Sequence, residues 1–530
     1  MPQSPMVHSF SEVPRVEIPR SSFNRSHALK TTFDADWLVP ILVDDAIPGD
    51  TFNVNVTNFC RLGSPLLHPL MDNLVLETFF FFVPYRLVWD NWEKFMGAQD
   101  DPADSIDFTV PSYDNQVLDR SGSDPHDLLY DYFGLPTLAS VDGADFSSLP
   151  FRAYNLIWNE WFRDQNLQDS VTVPTDDGPD DGGTDFVLLK RGKRHDYFTS
   201  CLPWPQKGDA VTLPIAAGAG TFLDVQTESL SYAANSPVAI ANTTGGSDHT
   251  TLELNSPPTS DVDVGINAPG ARAAGAVLGI DFDTNAATIN DLRLAFQTQR
   301  LLERDARSGT RYNEMILAHF GVTVPDFRVQ RPEFLGGGRS EINAYEVPNT
   351  SDTATIEQGE LAAFGKGSGS HGFTKSFVEH GVIIGLANVR GDITYSQGAE
   401  RYWFKDTRYD FYFPVLAQIG EQSVLNREIF YQNAAADDTV FGYQERYAEY
   451  RYKPSRLTGL FRVDHASTLA SWHLSEDFAS LPTLGGTFIE SNTGTPLDRA
   501  ISVPAEPQVI ADFFFDMLDR KSTRLNSSHT

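Results

Sequence analysis

The sequence predicts a mainly β protein built from antiparallel strands, and three observations carry that prediction. Aromatic residues make up 12% of the chain (37 Phe, 18 Tyr), while 39 Gly and 32 Pro interrupt it often. That balance favours many short strands joined by loops over a helical bundle. Phe52, Val54 and Val56 alternate with Asn53, Asn55 and Thr57, the period of a half-buried strand. In Asn73–Trp92 the alternation gives way, from Phe79 to Val83, to apolar residues on both faces. Four consecutive phenylalanines fit a strand covered on both sides, because a one-sided strand would leave two of them in water. The cover comes either from this chain or from another copy of it.

Length and charge narrow the classes. A chain of 530 residues is long enough for one large elaborated domain or several ordinary ones. A formal charge of −31 argues against a protein whose main task is coating nucleic acid, although local basic patches remain compatible with contact to it. Two cysteines, Cys60 and Cys201, make no disulfide scaffold and point to a reducing compartment. Met1–Phe10 has no charged-then-apolar leader, and no apolar run approaches membrane-spanning length.

In chain order, residues 1–33 read as an extended arm, with four basic and two acidic side chains spaced by prolines. Leu38–Val43 is the first strand, ending at the turn Pro48-Gly49-Asp50, and the Phe52–Val56 strand follows. After the Phe-rich strand, Trp89, Trp92, Phe95 and Met96 suit a short helix stopped by Gly97. Tyr154, Ile157, Trp158, Trp161 and Phe162 fall at helical spacing and read as a core stripe. Thr175–Gly183 crowds four Asp into a turn. It fails as a calcium loop, since Gly178 stands at the third position, and reads as a solvated acidic turn. Phe186–Trp204 is strand-like and carries the basic patch Lys190, Arg191, Lys193 and Arg194.

Residues 206–287 change character: Ala, Gly, Ser, Thr and Asp dominate, and the segment reads as an insertion. Asn290–Gly321 is helical, broken at Ser308-Gly309, with Tyr312, Met315, Ile316, His319 and Phe320 as a buried stripe. Arg293, Arg300, Arg304, Arg307 and Arg311 recur at intervals that share one helical face. This face either meets phosphate or is a surface face balanced by Glu303 and Asp305. Phe364–Ser370 does not satisfy the phosphate-loop pattern and reads as a flexible loop. Val382–Tyr395, Tyr409–Val415, Tyr443–Arg462 and Val509–Phe515 complete the series of strands. Asp519–His529 matches the in-frame translation of a widely used sequencing adapter, so 518–530 is expected to be non-native and the natural continuation after about Met517 absent.

No catalytic constellation emerges. The twelve histidines form neither HExxH nor HxxxH spacing, His371 and His380 make no metal pattern, and no GxSxG elbow precedes a helix. A carboxylate pair for glycoside hydrolysis is neither supported nor ruled out by the abundant acids. The expectation is a chain without catalytic, cofactor or metal sites. Its candidate nucleic-acid contacts are the Lys190–Arg194 patch and the Arg293–Arg311 face.

Four stretches, PGDTFNVNVTNFCRLGSPLLHPLMDNLVLETFFFFVPYRLVWDNWEKFMG, RHDYFTSCLPWPQKG, HGFTKSFVEHGVIIGLANVRGDITYSQG and DDTVFGYQERYAEYRYKPSRLTG, closely resemble the major capsid protein of gokushoviruses, small single-stranded DNA phages of the Microviridae. The resemblance covers the chain outside 206–287 and the tail. It implies an eight-stranded antiparallel viral jelly roll over 34–205 and 288–517, with long loops between strands. It also implies self-assembly through pentamers into a T=1 icosahedral shell in the cytoplasm of a bacterial host. Residues 206–287 stand where the family's variable loop builds the three-fold protrusion, and are the candidate contact to a host surface receptor. Packaged single-stranded DNA, a small basic DNA-binding protein and a pilot protein are the other implied partners. The jelly roll also hosts carbohydrate-binding modules and hydrolases, the rival reading of the fold.

Overall fold

In the computed structural model, β5 (Leu74–Pro84) lies inside a wide antiparallel sheet, with the strand Glu333–Pro348 on one side and the strand Gly381–Gly391 on the other. The structure describes residues 20–105, 107–114, 129–136, 146–181, 185–211, 289–350 and 358–521. The sheet's strands are β1 (Ser21–Asn24), β2 (His27–Phe33), β3 (Val39–Ala46), β4 (Thr51–Leu62), β5, and, after three short strands, β9 (Glu333–Pro348), β10 (Leu361–Ser376), β11 (Gly381–Gly391) and β14 (Val509–Lys521). The short strands β6 (Ser112–Asp114), β7 (Phe146–Ser147) and β8 (Asp180–Asp181) make a small sheet, and β12 (Glu421–Leu425) pairs with β13 (Val440–Glu445).

The main sheet runs β1-β14-β4-β10-β9-β5-β11-β3, with every ladder antiparallel. Strands β1 and β2 pair with successive parts of β14, so they share one edge position and the sheet is eight positions wide. It curls into a half-barrel, consistent with the expected jelly-roll class. The chain divides into two units, 1–208 with 302–530, and 209–301.

Side-chain alternation explains the strands. Phe52, Val54, Val56, Asn58, Cys60 and Leu62 of β4 are buried while the residues between them are exposed or half-buried. Strand β14 repeats the pattern with Val509, Ala511, Phe513, Phe515, Met517 and Asp519 inward. Strand β11 is buried at every residue, the mark of a strand covered on both faces.

Strand β5 is covered on both faces by its own chain. On one face Phe80 meets Phe373 (5.3 Å between ring centroids) and Phe82 meets Phe377 (4.6 Å). On the other, Phe79 meets Phe162 (5.3 Å) and Phe81 meets Trp161 (5.5 Å) and Phe334 (5.4 Å). Burying each of these rings contributes roughly 2 kcal/mol. The covering helix is the aromatic stripe expected from the sequence, numbered α3 after the short helices α1 (Trp92–Phe95) and α2 (Leu129–Tyr132). It spans Leu149–Ile157 and continues as a π-helical turn, Trp158–Phe162.

Several expectations are corrected. Phe364–Ser370 is no flexible loop but the middle of β10. Its glycines, with those of β9, sit where strands approach closely. A Cβ at Gly372 would lie 2.2 Å from the Val54 carbonyl oxygen, and one at Gly337 2.2 Å from that of Thr78. Tyr409–Val415 is not a strand. It forms 3-10 turns at Arg408–Asp410 and Pro414–Gln418, because Asp410 accepts hydrogen bonds from the Thr407 amide and hydroxyl and Pro414 opens the second turn. From Tyr443 the strand continues only to Glu445, after which Tyr447 adopts a left-handed conformation (φ 64°). Phe186–Trp204 makes isolated bridges, Trp37 to Lys190, Gly192 to Glu490 and Leu202 to Tyr443, rather than a strand.

The acidic turn is not simply solvated, since buried Arg152 draws Asp180 inward. Arg152 Nε and Nη2 donate to the two Asp180 carboxylate oxygens, each at 2.6 Å, and its other N–H groups reach the Val88 carbonyl and Asp176. Of the segment expected as an arm, 21–33 forms β1 and β2 and 1–19 lies outside the described residues. Almost all of the 206–287 insertion, from 212 on, lies outside them too, as does 522–530, while Asp519–Lys521 pair with β1.

Candidate assembly surfaces and a basic cleft

Two surfaces of the main unit expose apolar side chains that its own packing leaves uncovered. Between Arg401 and Phe461 a run of 3-10 turns presents Tyr402, Trp403, Tyr409, Phe411, Tyr412 and Val415 outward, with Trp403 69% and Val415 84% exposed. The turns are anchored from beneath: Arg446 Nη2 donates to the Tyr409 carbonyl (2.8 Å) and the Tyr447 hydroxyl to that of Phe411 (2.9 Å). Cations lie over several rings, Lys405 over Tyr450 at 4.1 Å and Arg427 over Phe404 at 4.3 Å. The backbone is therefore fixed while the rings face solvent.

The second surface is α5 (Tyr312–Phe320), which follows α4 (Ile289–Ser308). The stripe expected to be buried is not: Tyr312, Met315 and Phe320 are exposed, Phe320 by 77%, and no residue of the helix is fully buried. Nothing described in this chain covers it. The helix is nevertheless held firmly, with Arg311 donating to the carbonyls of Asn159 (3.1 Å) and Arg163 (2.8 Å), and His319 Nε2 2.7 Å from Asp305. Exposed apolar patches on rigid supports are characteristic of binding surfaces.

The basic residues singled out in the sequence are mostly engaged within the subunit. Lys190 lies 4.9 Å over the Trp37 ring. Arg191 pairs with Glu77 and lies 4.7 Å over Phe79. Lys193 meets Glu476 at 2.7 Å, both nearly fully buried, and Arg194 pairs with Asp392. Arg307 pairs with Glu421, and Arg311 with Glu314 at 3.3 Å. Arg304 is exposed, as are Arg293 and Arg300, which belong to the second unit.

The structure joins what the sequence presented as two separate patches. Arg191, Lys193 and Arg194 line one cleft of about 880 Å³ together with Arg307 and Arg311. Arg163 and Arg390 line it as well and were not anticipated. The one available signal for Arg390 was a lone cation ending the apolar run of β11. Glu77 sits beneath them, within ion-pair range of Arg390 (3.2 Å) and Arg194 (3.9 Å) as well as Arg191. Burial alone pushes the Glu77 carboxyl up, but the arginines outweigh it and hold it below its usual 4.5.

Both cysteines are buried and unpaired, and burial pushes the Cys60 thiol up to about 12, which leaves almost no thiolate for chemistry. Among the described residues no group of three or more His, Cys, Asp or Glu is placed to hold a metal ion, and no helix is long and apolar enough to cross a membrane.

Residues 11–527 match the model of the family described as capsid protein (F protein). The chain is 46% identical over 528 residues to capsid protein VP1 of Bdellovibrio phage phiMH2K, covering 96% of this chain and 95% of that one. It is 42% identical to capsid protein VP1 of Chlamydia phage 1, with 97% and 96% covered. To capsid protein VP1 of Spiroplasma virus 4 it is 36% identical, with 98% and 97% covered.

Proposed function

The chain belongs to the capsid protein (F protein) family and is a structural capsid subunit, and we propose that it assembles with its own copies, through pentamers, into a T=1 icosahedral shell around single-stranded DNA. The observation that carries this reading is the pairing of exposed aromatic surface with a fixed backbone at residues 401–461 and at α5. Large apolar surfaces of this kind are what obligate interfaces bury. Assembly takes place in the host cytoplasm, and the protein resides in the virion without enzymatic activity.

In this reading the main sheet supplies rigidity, the 401–461 turns and α5 meet neighbouring copies, and 206–287 forms the three-fold protrusion that touches a host receptor. The candidate genome-facing cations are Arg293, Arg300 and Arg304 together with the cleft residues. A small DNA-binding protein and a pilot protein complete the particle. Sedimentation velocity over a concentration series tests the assembly. Growth into discrete large species, abolished in Trp403→Asp, supports it, whereas a chain that stays monomeric at high concentration contradicts it. Exchanging 206–287 for a relative's segment tests the receptor assignment, and unchanged host range would remove it.

A further inference from the structure

The basic cleft crowds cations against one another. Arg191, Arg194 and Arg390 converge on the single carboxylate of Glu77, with the more exposed Asp392 reaching Arg194. On the same lining, Arg163 and Arg311 are adjacent, and Glu314 is the acid bonded to Arg311. Five guanidinium groups thus share Glu77, Asp392 and Glu314 as paired carboxylates, with Asp164 also on the lining. The crowding acts on the groups themselves. Burial and then Arg311 hold Arg163 below its ordinary value, while burial and then Arg191 bring Arg390 down to about 10. Among the described residues, Nε of Arg163, Arg311 and Arg390 and Nη2 of Arg194 have no hydrogen-bond acceptor. Arg390 Nε is near Glu77 but not aligned for a hydrogen bond with it. Phe79, Phe81, Trp161 and Phe162 line the same cleft and keep water from beneath the cations, which strengthens their pull on an anion.

We propose that this cleft is a phosphate-binding site, with Arg194, Arg390, Arg163 and Arg311 as its cationic groups. A planar carboxylate fills one guanidinium fork. A tetrahedral phosphate directs oxygens several ways and bridges several guanidinium groups. The volume of about 880 Å³ admits a nucleotide-sized group. The phosphate comes from a single-stranded DNA backbone or from a free phosphate ion. The first source rests on the genome-packaging reading above, and the site itself does not.

The test uses the full chain and fluorescence anisotropy of labelled oligothymidylates, with inorganic phosphate as competitor. Binding is expected to be displaced by phosphate and to weaken with salt at a log–log slope of about −0.7 per phosphate engaged. Arg194→Gln is expected to weaken it about tenfold. Because that variant also disturbs Glu77, Ser200→Glu is the control. Ser200 is an exposed residue lining the cleft that belongs to none of its ion pairs, and a carboxylate there adds negative charge that repels phosphate. It is expected to weaken binding about tenfold at an unchanged melting temperature. Affinity that rises with oligonucleotide length assigns the site to the DNA strand; affinity no better than that of phosphate assigns it to the free ion. Unaltered binding in Ser200→Glu overturns the proposal, as does equal competition by oligoglutamate of matched charge. A chain that binds phosphate but never assembles defeats the shell reading alone, and one that assembles without binding defeats this site alone.

Discussion

Glu77 Oε2 lies 3.2 Å from Arg390 Nε, joining the first half of β5 to the end of β11 on the face covered by α3. Glu77 is the one charged residue on the otherwise apolar Val75–Val83 face, and its side chain is only 14% exposed. Arg191 and Arg194 complete the pairing from the segment that crosses above. A buried carboxylate surrounded by three guanidiniums is tolerable only because each supplies charge that water no longer does.

Replacing Glu77 by Ala should therefore leave three cations under-compensated. A destabilisation of about 3 kcal/mol is expected from the chemical-denaturation midpoint at pH 7. Assembly should be impaired as well. An unchanged midpoint would mean that the carboxylate is effectively solvated.

The pH dependence follows from the lowered Glu77 value. A carboxyl held below its unfolded value contributes stability that is fully present above about pH 4.5 and lost as pH falls through its lower folded value. Glu428 has the opposite sign: burial raises it despite Arg401, so its contribution is present below the unfolded value and lost as pH rises. The melting-temperature gap between the unsubstituted chain and Glu77→Gln isolates the first effect. It should be wide at neutral pH and close toward pH 3; a gap constant with pH would contradict the pairing.

Arg152 of α3 and Asp180 of β8 make an enclosed ion pair, and two of the five hydrogen bonds of the Arg152 guanidinium go to Asp180. Arg152→Met should cost about 4 kcal/mol by stranding Asp180, and adding Asp180→Leu should recover most of it. A double variant no better than the single one would show that the carbonyl contacts dominate.

Much of this architecture is legible in the residues. Strands β4, β5, β11 and β14 announce themselves because alternation or continuous apolarity records how many faces are covered. The α3 stripe is legible for the same reason. Strands β9 and β10 are not, because their glycines reflect how near another backbone passes, and that is a tertiary fact. The α5 stripe has the right period, but period reports an apolar face and not what covers it. The convergence of Arg191 and Arg194 with Arg307 and Arg311 is equally invisible, since more than a hundred intervening residues separate the two groups.

Gly337 tests the close-approach account of the glycine-rich strands. A methyl group there meets the Thr78 carbonyl oxygen, part of the backbone, so neither can yield easily. Gly337→Ala should lower stability by about 3 kcal/mol, read from the thermal midpoint. A normal melt would return these glycines to the status of loop residues.

Phe320 separates folding from association. It is exposed on α5, so Phe320→Asp should melt within about 0.5 kcal/mol of the unsubstituted chain, yet fail to form large species. Loss of both would show that α5 is part of the subunit's own core.

Cryo-electron microscopy of the purified chain tests the central claim most directly. Closed T=1 icosahedral particles, or pentamers that are their fragments, are predicted, with residues 401–461 and α5 buried between copies. A uniform population of isolated subunits at high concentration, with those aromatic surfaces still facing solvent, would contradict it.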